Sequence, residues 1–155
     1  MKKYIFSILI VLSVTIFYSC ESKYEKEYSW AYPIAGDWTL NAYIEGDFIY
    51  GPFEMKAYNT SFGKDSIWFD DYPTATSWNF WQMKYKVAAD MNSKTFQTSG
   101  SINAFPGYDI IIKVSNGIVV NNDSISFDME FEDDPGTIYT LAGHRTISYE
   151  EYMSH

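Results

Sequence analysis

His144 and Arg145 stand side by side in "TLAGHRTISYEE", and Arg145 is the only arginine in a chain of 155 residues. An imidazole beside a guanidinium offers three chemistries: a catalytic pair, a clamp for an anion, or a cation used to plug a fold. Residue parity separates them. Counting back by twos, Arg145 shares a strand face with Gly143, Leu141 and Tyr139, because successive side chains of a strand point to opposite faces. If Leu141 points inward, Arg145 does too, and His144 points out. An outward imidazole cannot serve as a base for an interior site. A Ser/His/acid triad also needs a fixed nucleophile, and the chain has no Gly-x-Ser-x-Gly elbow. The structural plug is the reading the residues favour.

Carboxylates are the other chemical resource. Asp70–Asp71, Glu132–Asp133–Asp134 and Glu150–Glu151 form clusters of the kind that could pair for glycoside hydrolysis. They fall in expected turns or the tail and are read as solvated acids. No loop alternates oxygen ligands as a calcium loop does. Two histidines, one of them the terminal His155, and a single cysteine are a thin basis for zinc. No metal, cofactor or catalytic residue is therefore assigned, and the reading leans away from an enzyme.

The elements that would position these residues are strands. In "SISFDMEFE", Ile125, Phe127, Met129 and Phe131 alternate with Ser126, Asp128, Glu130 and Glu132, the period of a half-buried strand. "WQMKYKVAAD" places Trp81, Met83, Tyr85, Val87 and Ala89 on one face, and "DWTLNAYIE" does so for Trp38, Leu40, Ala42 and Ile44. Turn residues at "FPGYD", "SNG" (115–117), "NNDS" (121–124) and "DDPG" (133–136) separate the runs. Strands are expected near 36–45, 48–58, 65–70, 78–90, 94–104, 109–115, 118–131 and 137–147. The result is an all-β domain of about eight antiparallel strands, closed as an up-and-down barrel or packed as a sandwich.

The chain ends suggest export. Lys2 and Lys3 precede the uncharged run "YIFSILIVLSVTIFY", which is shorter than the roughly 20 apolar residues of a spanning helix. The run stops at Cys20, the only cysteine, which has no partner for a disulfide. Residues 1–20 read as a signal peptide, 21–35 as a flexible tether and 36–155 as one domain. Net charge is −9, which argues against nucleic acid and anionic lipid surfaces as partners.

Three resemblances add to this reading. "FYSC" is similar to a bacterial lipoprotein box, with Phe17 where Leu is usual, which implies lipidation of Cys20 and anchoring without a transmembrane helix. The short Ser-Cys ending resembles Bacteroidetes lipoproteins, and implies an exported protein held at the envelope, at the outer membrane and even at the cell surface. "AGDWTL" with an inward Arg145 on the last strand resembles the lipocalin and calycin signature. There Gly36, Trp38 and Arg145 would close one end of a barrel. Finally, "DSISFDMEF", "DDPG", "YTLAG" and Arg145 resemble small Bacteroidetes lipoproteins grouped as putative lipid-binding hydrolases with a calycin-like barrel. His144 departs from the aromatic of that pattern, and Arg145 stands alone where the pattern has two arginines.

Aromatic residues make up 19% of the chain, more than a scaffold needs for turns and edges, so they must fill a core or line a cavity. Apolar ligand sites are mostly aromatic and aliphatic with few polar groups. Trp81, Met83, Tyr85, Phe127, Met129 and Tyr139 are the candidate lining. The expected function is binding of a hydrophobic or amphipathic, lipid-like small molecule. A hydrolase acting on lipid or glycan and a surface carbohydrate- or protein-binding module are the alternatives.

Overall fold

A computed structural model describes residues 29–61, 63–71 and 79–146. Eight strands follow one another: β1 (Gly36–Ile44), β2 (Asp47–Asn59), β3 (Ser66–Asp70), β4 (Lys84–Asp90), β5 (Thr95–Ile102), β6 (Ile111–Val120), β7 (Ser124–Phe131) and β8 (Asp134–Arg145). Each pairs antiparallel with the next, and β8 pairs back to β1, so the sheet closes as an up-and-down barrel. Closure removes the free strand edges that an open sheet would expose. The barrel expectation is borne out over the sandwich. Cys20, the signal region, the tail acids Glu150–Glu151 and Trp78 lie outside the described residues.

Alternation places the interior as the sequence implies. Ile125, Phe127, Met129 and Phe131 of β7 are all buried, as are Trp38, Leu40 and Ala42 of β1. The closing seam pairs Trp38 with Arg145, Leu40 with Gly143 and Ala42 with Leu141. Gly143 is needed there. A Cβ on it would stand 1.9 Å from the Thr39 carbonyl oxygen and 2.9 Å from the Leu40 Cα.

Four boundaries differ from expectation. "SNG" does not turn the chain: β6 runs through Asn116 and Gly117 to Val120 as an irregularity between Ser115 and Ile118. Asn116 takes the left-handed φ of 55°, and a Cβ on Gly117 would meet the Phe96 carbonyl oxygen at 2.3 Å and its ring at 2.5 Å. This Asn-Gly serves a bulge and a close ring approach, and the turn itself falls at Asn121–Asp123. "DDPG" is likewise mostly strand, because β8 starts at Asp134. Strand β4 begins at Lys84 rather than near 78, since Gln82 adopts φ 55° and breaks the extended run. Trp81 thus lies in the connection before β4 and not on its face. Lastly, 29–35 is not loose tether. Ala31 and Ile34 are fully buried, and the Ile34 and Ala35 amides donate to the Ala31 carbonyl in a turn at the barrel end.

The seam generates a prediction. Gly143→Ala forces backbone apart where β1 meets β8, and overpacking of this kind costs about 1–3 kcal/mol. The melting temperature should fall by several degrees. An unchanged melting temperature would show that the seam has room the structure denies.

Candidate functional site

The barrel has two unlike ends. One is formed by the start of β1, the end of β8 and the segment 29–35; the opposite end carries the β3–β4, β5–β6 and β7–β8 connections.

At the first end, Trp38 is fully buried and its indole N–H donates to the Ile34 carbonyl at 3.0 Å. The Arg145 Cζ lies 4.4 Å from the Trp38 ring centroid, a cation–π distance. Its Nη1 donates to the Ala35 carbonyl at 2.7 Å and its Nε to the Asn122 carbonyl at 2.8 Å. Nη2 is buried and makes no hydrogen bond among the described residues. Gly36 lets the guanidinium in, since a Cβ there would sit 2.1 Å from Nη1. Arg145 thus meets carbonyls and an aromatic face, which is structural use of a cation. His144 is exposed on the outer wall, as parity implied.

Between the ends the interior is apolar and crowded with rings. Phe69 stacks on Tyr85 at 5.8 Å and packs on Phe96 and Phe127 at 4.9 and 5.6 Å. Met83, Tyr85, Phe127, Met129 and Tyr139 all point into this interior and are buried. One polar atom stands out. Among the described residues the Tyr85 hydroxyl, on a fully buried ring, is offered only thioether sulfurs: Met55 Sδ at 3.9 Å and Met129 Sδ at 3.7 Å. Sulfur is a weak acceptor, and an under-satisfied buried hydroxyl carries a desolvation cost of about 1–3 kcal/mol. Burial first, and then the nearby Asp71 carboxylate, hold its pKa well above the usual phenol range, so it remains a donor.

The second end, the mouth, is stopped by an aromatic plug. Trp81 stacks on Phe131 at 4.7 Å with an interplanar angle of 10°. Phe80 stacks on Phe53 at 5.2 Å and meets Tyr139 edge-on at 5.7 Å. These two rings belong to the connection before β4, and Asp71 ties that connection down. Its carboxylate accepts backbone N–H bonds from Phe80 (3.1 Å), Trp81 (2.9 Å) and Met83 (2.5 Å). The Trp81 indole N–H donates to the Tyr108 hydroxyl at 2.8 Å, and Tyr108 in turn donates to Asp133. Tyr139 donates to Asp134 at 2.5 Å; burial and that bond push its pKa up to about 12.

The clustered acids therefore are not simply solvated turn residues. Asp71 is 2% exposed, and Asp133 and Asp134 hold the phenols of the mouth. Asp134 finds its donors nearby on β8, but Asp71 and Asp133 receive theirs only because the β3–β4 and β5–β6 connections arrive at the mouth, and no local pattern announces that. The dense "WNFWQMKY" was the available signal, since rings so closely spaced exceed what one strand face can bury. Among the described residues no three His, Cys, Asp or Glu side chains gather as a metal site.

Two predictions follow from the ends. Arg145→Leu loses the ring contact and leaves two carbonyls without donors, at roughly 2–4 kcal/mol; Arg145→Lys should recover only part. Chemical denaturation measures both, and a Leu variant as stable as the native protein would remove the plug from the account. Asp71 tests the mouth. Burial, outweighing its three amide donors, raises its carboxyl pKa above the ordinary value. A carboxyl raised on folding favours the native state most when protonated, and that advantage fades as pH rises through the native pKa. Relative to Asp71→Asn, the native protein should gain stability as pH falls from 7 towards the ordinary aspartate range near about 4. A relative loss over that interval would contradict burial of the carboxyl.

No curated protein matches the chain in sequence. A family model described as "lipid-binding putative hydrolase" matches residues 23–150. That stretch takes in all eight strands, the Trp38–Arg145 closure and the plugged mouth, and the chain belongs to this lipid-binding family.

Proposed function

We propose that the protein binds one amphipathic, lipid-like molecule inside the barrel, admitted at the mouth when Phe80 and Trp81 swing aside. The Tyr85 hydroxyl carries this reading. It is a protonated donor held in an apolar interior against sulfur alone. An apolar ligand with a single carbonyl or carboxyl acceptor would satisfy it, the usual balance of a small-molecule site. The lining suits an acyl chain. Met55, Met83 and Met129 are unbranched and repack readily, and Ala42, Ala57 and the half-buried Ala89 leave the wall thin between rings. The plug suits admission, because it sits on a connection fixed mainly by Asp71 and Tyr108 rather than by a strand ladder.

The cellular setting completes the proposal. Cys20 carries lipid after cleavage of residues 1–20, and the protein serves at the cell envelope of a Bacteroidetes-type bacterium. Residue 29 lies at the Trp38–Arg145 end, opposite the mouth.

The test compares a long-chain fatty acid, its methyl ester and the matching alkane by displacement of a fluorescent probe. Acid and ester should bind, and Tyr85→Phe should weaken both by about tenfold while leaving the alkane unchanged, the value of one buried hydrogen bond. Stability of Tyr85→Phe should match or exceed that of the native protein, since the lost hydroxyl has only weak partners. Equal affinities for native and variant proteins would detach Tyr85 from the ligand, and turnover of the ester to free acid would return the hydrolase reading.

A further inference from the structure

The outer wall carries a feature that barrel closure does not need. Tyr58 of β2 pairs with Trp68 of β3 on the outer face. Both rings are partly exposed. Lys84 Nζ lies 5.5 Å from the Tyr58 ring and 5.8 Å from the Trp68 ring, and Lys86 Nζ lies 5.9 Å from Trp68. Lys56, Lys84 and Lys86 face outward here together, in a chain whose net charge is −9. Lys84 is committed to Asp70 at 3.3 Å. Lys86 makes no ion pair among the described residues, and the Trp68 indole N–H makes no hydrogen bond among them. A cation and a ring thus stand ready on the same spot.

The wall continues from this spot into a groove. Ser66 pairs with Ala88 and Trp68 with Lys86, so Ala88 is the diagonal neighbour of Trp68. Ala88 then begins a groove of about 630 Å³ that crosses β5 and β6 past Gln97, Thr98, Ser99, Lys113 and Ser115. Ala88, Ser99 and Ser115 are small, Gln97, Thr98 and the two serines offer amide and hydroxyl groups, and Val114, Met129 and Ile138 make the rest of the lining largely apolar. Lys113 is answered by Glu130 at 3.3 Å, so the groove itself is close to neutral.

We propose that this face binds a short acidic saccharide, one bearing a uronic acid. The negative face of an indole meets the electropositive C–H face of a pyranose. The Lys86 ammonium, which lies over the ring and makes no ion pair among the described residues, turns from the indole to the carboxylate as the sugar takes its place, and the groove takes the hydroxyls of the following sugar units. A nucleic acid fits poorly, because one lysine without an ion pair can answer a single carboxylate but not a phosphate at every unit. The site is separate from the barrel interior and stands or falls without the lipid reading.

The experiment titrates the full chain with a uronic-acid trisaccharide, the corresponding neutral trisaccharide and inorganic phosphate, by calorimetry and by nuclear magnetic resonance. The acidic sugar should bind about tenfold more tightly than the neutral one, and phosphate should neither bind comparably nor compete. Lys86→Gln, at an exposed position, should reduce the acidic sugar to the affinity of the neutral one with an unchanged melting temperature. Trp68→Ala should abolish binding of both sugars, and Tyr85→Phe should leave both unaltered. No binding of the acidic sugar to the folded native chain would overturn the proposal. So would equal affinity for both sugars, insensitivity to Lys86→Gln, or phosphate binding as strongly as the sugar.

Discussion

A guanidinium that meets no carboxylate among the described residues closes this barrel, and most of the remaining architecture is arranged around that fact. Burying an arginine is costly unless its donors are met and its charge is spread over a polarisable surface. The Trp38 face supplies the surface, and the Ala35 and Asn122 carbonyls meet two of its nitrogens. Those partners come from three parts of the chain: the segment before β1, the turn before β7 and β1 itself. One side chain therefore locks the first strand, the last strand and the leading turn into a single end. Gly36 and Gly143 exist to let backbone and guanidinium come that close.

The mouth is held by a different principle. Its rings are stacked rather than interlocked in a ladder, and carboxylates position them through amides and phenols: Asp71 for Phe80 and Trp81, Asp133 for Tyr108, Asp134 for Tyr139. Hydrogen bonds to a loop's backbone can be released one at a time, whereas a closed ladder opens only cooperatively. The two ends therefore differ in kind: one is locked by a buried guanidinium, the other stopped by rings on a tethered connection.

How much of this the sequence disclosed depends on range. Parity along single strands was legible: the buried set of β7, the inward Arg145 and the outward His144 all follow from counting by twos. So did the interior position of Met83, Tyr85, Phe127, Met129 and Tyr139. What depended on approach between distant segments was not legible. Asn116–Gly117 has the composition of a turn, but Phe96 lying against Gly117 makes it a bulge. Asp71 has the composition of a solvated acid, but the returning connection brings three amides to it and buries it. Trp81 fits the β4 alternation on paper, but Gln82 breaks the strand and frees the ring for the mouth. The segment 29–35 has no period at all, and only Trp38 and Arg145 beneath it give it a structure.

The central claim is that the interior behind this plug receives a lipid. The most direct measurement compares native and denaturing mass spectra of the protein after incubation with a total lipid extract. The account predicts one discrete additional mass on the folded protein, released on unfolding and belonging to a molecule with an acyl chain and a carbonyl group. A folded protein that carries no adduct from any lipid offered would contradict it, and the interior would then be a core and nothing more.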